Sequence, residues 1–278
     1  MILVDAHVHI YDCFDLETFL DSALENFKAE AARSGREDAF TAVLLLTETA
    51  KENWFHRLAR YVGDESGTKR KAIGNWTFHR TNEDCSLCAQ YGNAQGLFLI
   101  AGRQIITAED LEVLALAMTR NFEDGSPAEE LIEAVKESGG IPAFPWGFGK
   151  WLGQRGSTLT KILNTPETSG LFLGDNGNRP NFWPRPSHFK MAQAKGIRIL
   201  PGSDPLPFFS ERHRPGSFGF SISGSIASEY PARDLKRILL EPKMLLKAYG
   251  QLERPWRFFR NQLAMQLIKH LRRAKSVN

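Results

Sequence analysis

Apolar and polar residues follow two regular patterns at the start of the chain. Residues 2–10 (ILVDAHVHI) form an apolar, β-branched run typical of a buried strand, whereas over residues 16–27 the apolar residues recur three and four positions apart, as on one face of a helix. Asp15 stands where it can cap that helix. Residues 41–46 (TAVLLL) repeat the strand pattern and residues 47–60 the helical one, so the chain begins with two strand–helix units.

The alternation of strand and helix continues to about residue 204. The further predicted elements are helices over 127–138, 157–163 and 187–194 and strands over 140–144, 170–173 and 196–200. Strands that alternate with helices pack as a parallel sheet, because each helix carries the chain back to the start of the next strand. About seven such units in one domain length predict an α/β fold, a distorted (β/α)7-8 TIM-like barrel.

Two regions depart from this alternation. Residues 62–96 contain five glycines among short alternating stretches, which predicts a small, hairpin-rich β insertion. Residues 225–250 and 254–274 predict two terminal helices, so that residues 225–278 form a C-terminal helical closure. We expect residues 1–278 to form a single domain.

The last predicted helix is amphipathic. Basic residues accompany an apolar stripe that consists of Trp256, Phe259, Leu263, Leu267 and Leu271. We expect the rest of the protein to cover this stripe, since barrels commonly close with an amphipathic helix. The alternative interpretation is a membrane-surface or nucleic-acid element, because cations beside an apolar stripe suit both.

Composition and charge exclude several classes of protein. With 42% hydrophobic and 24% charged residues, the 278-residue chain has ordinary globular usage and is neither disordered nor collagen-like. The net charge of +3 is uneven, since residues 251–278 hold seven Lys or Arg and one acid. Three cysteines cannot all pair, and no basic region precedes an apolar run at the N-terminus. We therefore expect a cytoplasmic protein without a membrane span.

Candidate chemistry begins on the first strand. Asp5, His7 and His9 are two residues apart, so their side chains leave the strand on one face. Imidazole is the commonest metal ligand, and Asp204 in LPGSD ends a late strand on the same rim. Two His and one carboxylate suit a catalytic zinc ion, with manganese or iron as alternatives. The competing interpretations are a hydrogen-bonded pair of core histidines and an Asp204 that caps a helix.

Four motifs occur in the order typical of a known family. They are DAHVH at residues 5–9, AGRQIITAEDLEVLAL near residue 110, IEAVKESGGIPAFPW near residue 140 and LPGSD near residue 204. In order and spacing they resemble the PHP (polymerase and histidinol phosphatase) family of metal-dependent hydrolases over about residues 1–206. The resemblance implies a barrel that holds up to three divalent metals and cleaves phosphate esters, with His7, His9 and Asp204 among the metal ligands.

The chain departs from the family pattern at four positions. Gln104 stands where the family has Glu, Glu112 where it has His, and Phe144 and Leu206 where it has two further His. An amide ligates metals poorly and the two apolar side chains not at all, whereas Glu112 can still bind a hard cation. We therefore expect one divalent ion, with zinc favoured, or none if the site is degenerate.

Cations near the presumed rim indicate an anionic substrate. Arg103, Lys150, Arg179 and His188 suit a small anionic substrate such as a phosphate ester. The sequence predicts a metal-dependent hydrolase of a phosphoester, in which Asp204 orients or deprotonates the attacking water. The alternative is a degenerate, non-catalytic barrel that binds a small anionic ligand or a partner. Nucleic acid is not expected as a partner, and the sequence sets no oligomeric state.

Overall fold

Twelve strands and seven α-helices make up the described part of the chain. In the computed structural model the described residues are 1–37, 39–62, 72–93, 96–166 and 168–275, with side chains described as far as residue 268. The strands are β1 Ile2–Val8, β2 Thr41–Leu46, β3 Trp76–Arg80, β4 Ser86–Tyr91, β5 Leu97–Ile100, β6 Gly102–Ile106, β7 Glu112–Leu116, β8 Ile141–Pro145, β9 Phe172–Asn176, β10 Ile199–Gly202, β11 Gly219–Ile222 and β12 Lys247–Tyr249. The α-helices are α1 Leu16–Arg33, α2 Trp54–Ala59, α3 Ala128–Glu137, α4 Gly153–Asn164, α5 Ser187–Ala194, α6 Pro231–Leu240 and α7 Pro255–Lys275.

The strands form two mixed sheets. The first has the order β12-β11-β1-β2-β5-β4-β3 and the second the order β10-β9-β8-β7-β6. β1, β2 and β5 are parallel, as are β8, β9 and β10, which agrees with strands that alternate with helices. The other neighbouring pairs are antiparallel. The expected all-parallel sheet is therefore wrong; for example, a tight turn through Asp110 (φ 57°) joins β6 and β7 as a hairpin.

The expected (β/α)7-8 TIM-like barrel is also wrong, because the described strands form two open sheets rather than one closed sheet. The sheet does not close at β1, because β11 pairs with the edge of β1 over Ile2–Val4. Only the C-terminal end of β1 is therefore accessible to β10, and there the backbones of the two strands are in contact. Gly202 brings no side chain against His7, where a Cβ would lie 2.3 Å from the His7 nitrogen. The backbone N–H of Asp204 donates to the His7 carbonyl over 2.8 Å.

The structure confirms the predicted start of the first helix but not the extent of the helix predicted over residues 225–250. α1 begins as predicted, with the Asp15 carboxylate accepting a hydrogen bond from the first turn. The helix predicted over residues 225–250 is wrong, since α6 ends at Leu240 and the ring of Pro242 cannot continue it. The chain then pairs with β11 as strand β12.

The outer edge of the first sheet is formed by the β3–β4 hairpin. Trp76 and Phe78 of β3 are fully buried, so this hairpin shares the core of the first sheet. Residues 63–71 and 94–95 of the predicted insertion lie outside the described residues. The insertion and the single-domain organisation stay predictions.

Buried apolar side chains form two clusters, and the larger one contains side chains of both sheets, such as Val43 of β2 and Leu116 of β7. Side chains of α1 and α6 pack on the first sheet, among them Phe19, Phe27 and Leu235. Side chains of α3, α4 and α5 pack on the second, among them Leu159 and Phe189. Among the described residues no helix combines the length and the apolar character that crossing a bilayer requires.

The apolar stripe of α7 faces outward. Trp256, Phe259, Leu263 and Leu267 are 61%, 56%, 68% and 64% exposed, so the expectation that the protein covers them is wrong. α7 packs by its opposite face instead, where Phe258 is 4% exposed. The Phe258 ring lies 5.1 Å from that of Phe148 and 5.9 Å from that of Phe182. The predicted stripe residue Leu271 lies beyond the described side chains.

Replacing Phe258 tests how α7 is held. Phe258→Ala should lower the free energy of unfolding by about 3 kcal/mol, because it removes a buried ring and leaves a cavity. Trp256→Ala is the matched control, and its effect should stay below about 0.5 kcal/mol because that ring is largely exposed. Urea denaturation measures both changes, and equal losses for the two variants would contradict this packing.

Candidate metal centre

Two imidazoles meet at the end of β1. His7 is the penultimate residue of the strand and His9 follows the strand, and they are 4% and 3% exposed. Because side chains two apart along a strand leave it on one face, both rings point to the same side. Their Nε2 atoms are 3.1 Å apart.

Asp204 reaches the same point from the end of β10. Its backbone is left-handed (φ 47°), which is uncommon for a residue with a side chain and is fixed here by the hydrogen bond to His7. Its Oδ1 lies 3.6 Å from Nε2 of His7 and 3.7 Å from Nε2 of His9. The amide of Asn176, which ends β9, donates to Oδ2. The carboxylate is therefore held with one oxygen directed at the imidazoles.

The spacing of the three ligand atoms fits one metal ion. Bonds of about 2.0–2.2 Å in tetrahedral geometry place ligand atoms roughly 3.3–3.6 Å apart. The separations of 3.1, 3.6 and 3.7 Å are close to this range. Among the described residues, His7, His9 and Asp204 are the one group of three or more potential ligands that could hold an ion.

The protonation states of the group also suit metal binding. Burial lowers the pKa of His7 to about 4, with the charges of His9 and Lys150 acting in the same direction and that of Asp204 opposing them. Burial acts to raise the pKa of Asp204, but the charges of both imidazoles and the hydrogen bond from Asn176 hold it below its ordinary value. At neutral pH the group thus offers an uncharged His7 and a carboxylate, the forms that bind metal.

A second carboxylate, that of Glu52, lies behind His9. Its Oε2 is 3.6 Å from Nδ1 of His9, and it accepts a hydrogen bond of 2.9 Å from the backbone of Thr49. Burial acts to raise the pKa of Glu52, but its contacts with His9 and Thr49 lower it. A carboxylate on the far nitrogen of a metal-binding imidazole orients the ring. Sequence analysis missed Glu52, although it follows β2 at the sheet end where His9 follows the parallel strand β1.

The start of β6 supports this arrangement from the other side. Arg103 donates to the carbonyl of Glu52 over 2.9 Å and lies 3.4 Å from the carboxylate of Glu48, so it fixes the loop that carries Glu52. The next residue, Gln104, places its Oε1 3.2 Å from Nε2 of His7. Arg103 therefore lies behind the metal group, and it does not line the cavity in front of that group.

Asp5 is not part of the ligand group, although it shares a strand face with the histidines. Its side chain is fully buried and accepts hydrogen bonds of 2.8 Å from the backbone N–H groups of Ser203 and Gly216. Burial raises the pKa of Asp5 to about 7, against the lowering effect of these hydrogen bonds. Asp5 therefore holds the backbone at Ser203, which precedes Asp204, and at Gly216, which follows it, and does not contribute to the metal group.

The metal group lines a cavity of about 600 Å³. Lys150 and Glu112 also line it, and the ammonium of Lys150 forms an ion pair with the Glu112 carboxylate. Two further cations, Lys51 and Arg57, lie in the same lining and were missed in the sequence because they follow no recognisable motif. The carboxylates of Asp12 and Glu52 line it as well, so the cavity combines a three-ligand metal group with charges of both signs.

Two side chains predicted to bind substrate, those of Arg179 and His188, form contacts outside the cavity of the metal group. Arg179 forms two hydrogen bonds of 2.7 Å with the carboxylate of Asp175. Nε2 of His188 lies 3.0 Å from the hydroxyl of Thr160, and the ring borders a separate cleft beside Trp151. Of the four predicted cations, all of them described, Lys150 alone lines the cavity of the metal group.

The departures from the PHP pattern have separate places in the structure. Phe144 is fully buried in the core of the second sheet, whereas Leu206 lines the cavity. Neither side chain has an atom that can bind a metal, and Glu112 is paired with Lys150 outside the ligand group. The structure therefore brings together His7, His9 and Asp204 without Glu112.

We expect one divalent ion to bind per chain. His7→Ala should abolish binding, because it removes one of three protein ligands and with it the geometry of the site. Glu112→Gln should leave the affinity unchanged, since Glu112 lies outside the group. Elemental analysis and calorimetric titration with zinc measure both. Two tightly bound ions would contradict the single-ion prediction, and loss of binding in Glu112→Gln would show that Glu112 contributes a ligand.

The outer carboxylate is tested separately. Glu52→Gln should weaken zinc binding by about 10–100-fold, because the amide no longer orients the His9 ring as a carboxylate does. Glu129→Gln, an exposed substitution on α3, is the matched control and should bind zinc as the unmodified protein does. The same titration compares them, and equal affinities would remove Glu52 from the site.

No family model and no curated protein matches this chain. Among solved structures, it is similar to PsfC from Pseudomonas syringae PB-5123, with 14% identity, a TM-score of 0.54, and coverage of 90% of this chain and 91% of PsfC. It is also similar to the lesion-specific endonuclease PfuEndoQ from Pyrococcus furiosus, with 14% identity, a TM-score of 0.48, and coverage of 88% of this chain and 57% of that protein.

A further similar structure is Endonuclease Q in complex with a 27-mer duplex substrate that carries an abasic lesion, with 14% identity, a TM-score of 0.44, and coverage of 89% and 59%. The expectation that nucleic acid is not a partner is withdrawn: PfuEndoQ is an endonuclease and Endonuclease Q holds a duplex substrate, properties that are those proteins' own. At 14% identity the likeness to PsfC shows a shared fold and nothing about substrate.

Proposed function

We propose that this chain is a metal-dependent hydrolase of a phosphoester. One observation carries the proposal: Nε2 of His7, Nε2 of His9 and Oδ1 of Asp204 converge at metal-ligand spacing on the wall of a cavity that also holds Lys150. Three protein ligands leave a coordination position for water, as catalytic sites require and closed structural sites do not. The resemblance of DAHVH and LPGSD to PHP motifs supports the same reaction.

A single zinc ion suits the ligand set best. Two imidazoles and one carboxylate are typical zinc ligands, whereas Gln104 and the paired Glu112 offer little to a second ion. A bound ion would lower the pKa of a water molecule and polarise the phosphoryl group. The remaining chemistry belongs to side chains of this protein.

Asp204 and Lys150 have distinct roles in this proposal. Oδ2 of Asp204 already accepts a hydrogen bond from Asn176, so we assign Asp204 to holding and orienting rather than to removing a proton. Lys150 supplies an ammonium group for the phosphoryl oxygens, and Glu112 fixes that ammonium in the cavity. In this proposal the phosphoryl oxygens accept hydrogen bonds from this ammonium group rather than coordinate a second metal ion.

The alternative is a non-catalytic protein that binds a small anionic ligand. The ion pair of Lys150 with Glu112 favours it, because a lysine beside the metal group can hold an anion without any reaction. The two functions differ in one measurable respect. The hydrolase turns over a phosphoester when zinc, manganese or iron is supplied, whereas the binding protein stays inert with every divalent ion.

Hydrolysis of p-nitrophenyl phosphate by metal-loaded protein tests the proposal. Lys150→Ala should raise KM by roughly 10–100-fold, the loss of one hydrogen bond to a charged group, while zinc binding is retained. Lys28→Ala on the exposed face of α1 is the matched control. The double variant Glu112→Gln/Lys150→Ala separates this loss from any effect of an unpaired Glu112. Inactivity of the unmodified protein with all three metals, or an unchanged KM in Lys150→Ala, would contradict the proposal.

A further inference from the structure

A continuous apolar surface runs along the outer side of α7. It consists of Trp256, Phe259, Leu263 and Leu267, together with Phe182 from the loop after β9, and we refer to these five residues as the α7 surface. Phe182 is 48% exposed and stacks on Phe259, with ring centroids 5.8 Å apart and an angle of 15° between the rings. Large apolar side chains that share one exposed face mark an interaction surface, whereas scattered ones do not.

The rest of the chain holds α7 in place without covering this surface. On the opposite side of the helix Phe258 and Asn261 are buried, and Arg257 donates to the buried carboxylate of Glu211 over 2.8 Å. Gln262, Met265 and Gln266 face the cavity of the metal group. The α7 surface is therefore on the side of the helix that is not packed, and its residues are separate from those that line the candidate site.

Two exposed cations flank the α7 surface among the described side chains. Residues 251–278 contain seven Lys or Arg in the sequence and a single acid, Glu253, which is buried and paired with Arg214 over 2.6 Å. Arg254 and Arg260 are exposed next to the apolar residues, and the guanidinium of Arg260 lies 5.3 Å from the ring centre of Trp256. An apolar helix face with Trp and Phe, flanked by cations, is complementary to an anionic lipid surface.

We propose that the α7 surface docks this protein on an anionic membrane. The helix lies in the plane of the lipid headgroups, its apolar residues enter the boundary of the acyl chains, and its cations contact acidic headgroups. Each cation near such a surface contributes favourably, so apolar and charged contacts act together. The rest of the chain does not cover these apolar residues, because α7 packs against it through the opposite face of the helix.

A second copy of this chain is a less suitable occupant. Packed helices lie about 8–10 Å apart, which is within the screening distance of roughly 8–10 Å at physiological salt. Two copies paired through this surface would therefore set two strongly basic helices against each other. Anionic lipid satisfies the same apolar contacts with attraction instead of repulsion.

Co-sedimentation of the full chain with lipid vesicles tests the proposal. The protein should sediment with vesicles of phosphatidylcholine mixed with phosphatidylserine and much less with phosphatidylcholine alone. Leu263→Gln/Leu267→Gln should weaken this binding by roughly tenfold or more, because two exposed apolar side chains no longer enter the lipid. Leu245→Gln is the matched control, since Leu245 is 86% exposed but lies between α6 and β12, outside the α7 surface.

A second pair of variants tests the charge. Arg254→Gln/Arg260→Gln should weaken binding to the mixed vesicles, and circular dichroism should show all variants folded. Failure to sediment with the mixed vesicles, equal binding to both lipid compositions, or unchanged binding of the double leucine variant would overturn the proposal. A dimer detected by light scattering that the leucine variant dissociates, without vesicle binding, would assign the surface to a second copy instead.

Discussion

The contact between the ends of β1 and β10 is the constraint on which the candidate site depends. Asp5, fully buried in β1, accepts hydrogen bonds from the backbone of Ser203 and Gly216, and the N–H of Asp204 donates to His7. A buried carboxylate without partners would be strongly unfavourable, so Asp5 requires this segment to stay where it is. The same contacts set the distance between Asp204 and the imidazoles.

This junction also explains how two open sheets can build one site. β1 belongs to the first sheet and β10 ends the second, so the histidines and the aspartate come from different sheets. The backbones approach closely because Gly202 has no side chain. From the same ends of neighbouring strands, Asn176 and Glu52 add the contacts that orient the ligands. His9 and Asp204 are thus each held by an outer contact, which preorganises these two ligands for a metal.

Charge is distributed differently here from what the PHP resemblance implies. Phe144 lies in the apolar core, and Glu112, which stands at the position of a histidine in the PHP pattern, is paired with Lys150 in the cavity. The proposed single-metal reaction takes account of both replacements. On the far side of α7 the exposed side chains are apolar and are flanked by Arg254 and Arg260, so the two faces of the helix have different surroundings.

Local patterns in the sequence determined most of the elements, although not the C-terminal half of the helix predicted over residues 225–250, whereas long-range contacts decided how the elements combine. The period of two along ILVDAHVHI predicted that His7 and His9 share a face, because that depends on one strand alone. The open sheets could not be predicted in this way, since they depend on which distant strand takes the edge of β1. The same limit applies to Glu52, whose contact with His9 no sequence motif indicates. It applies also to α7, because the helical period of its apolar residues does not indicate whether that face packs against the rest of the chain.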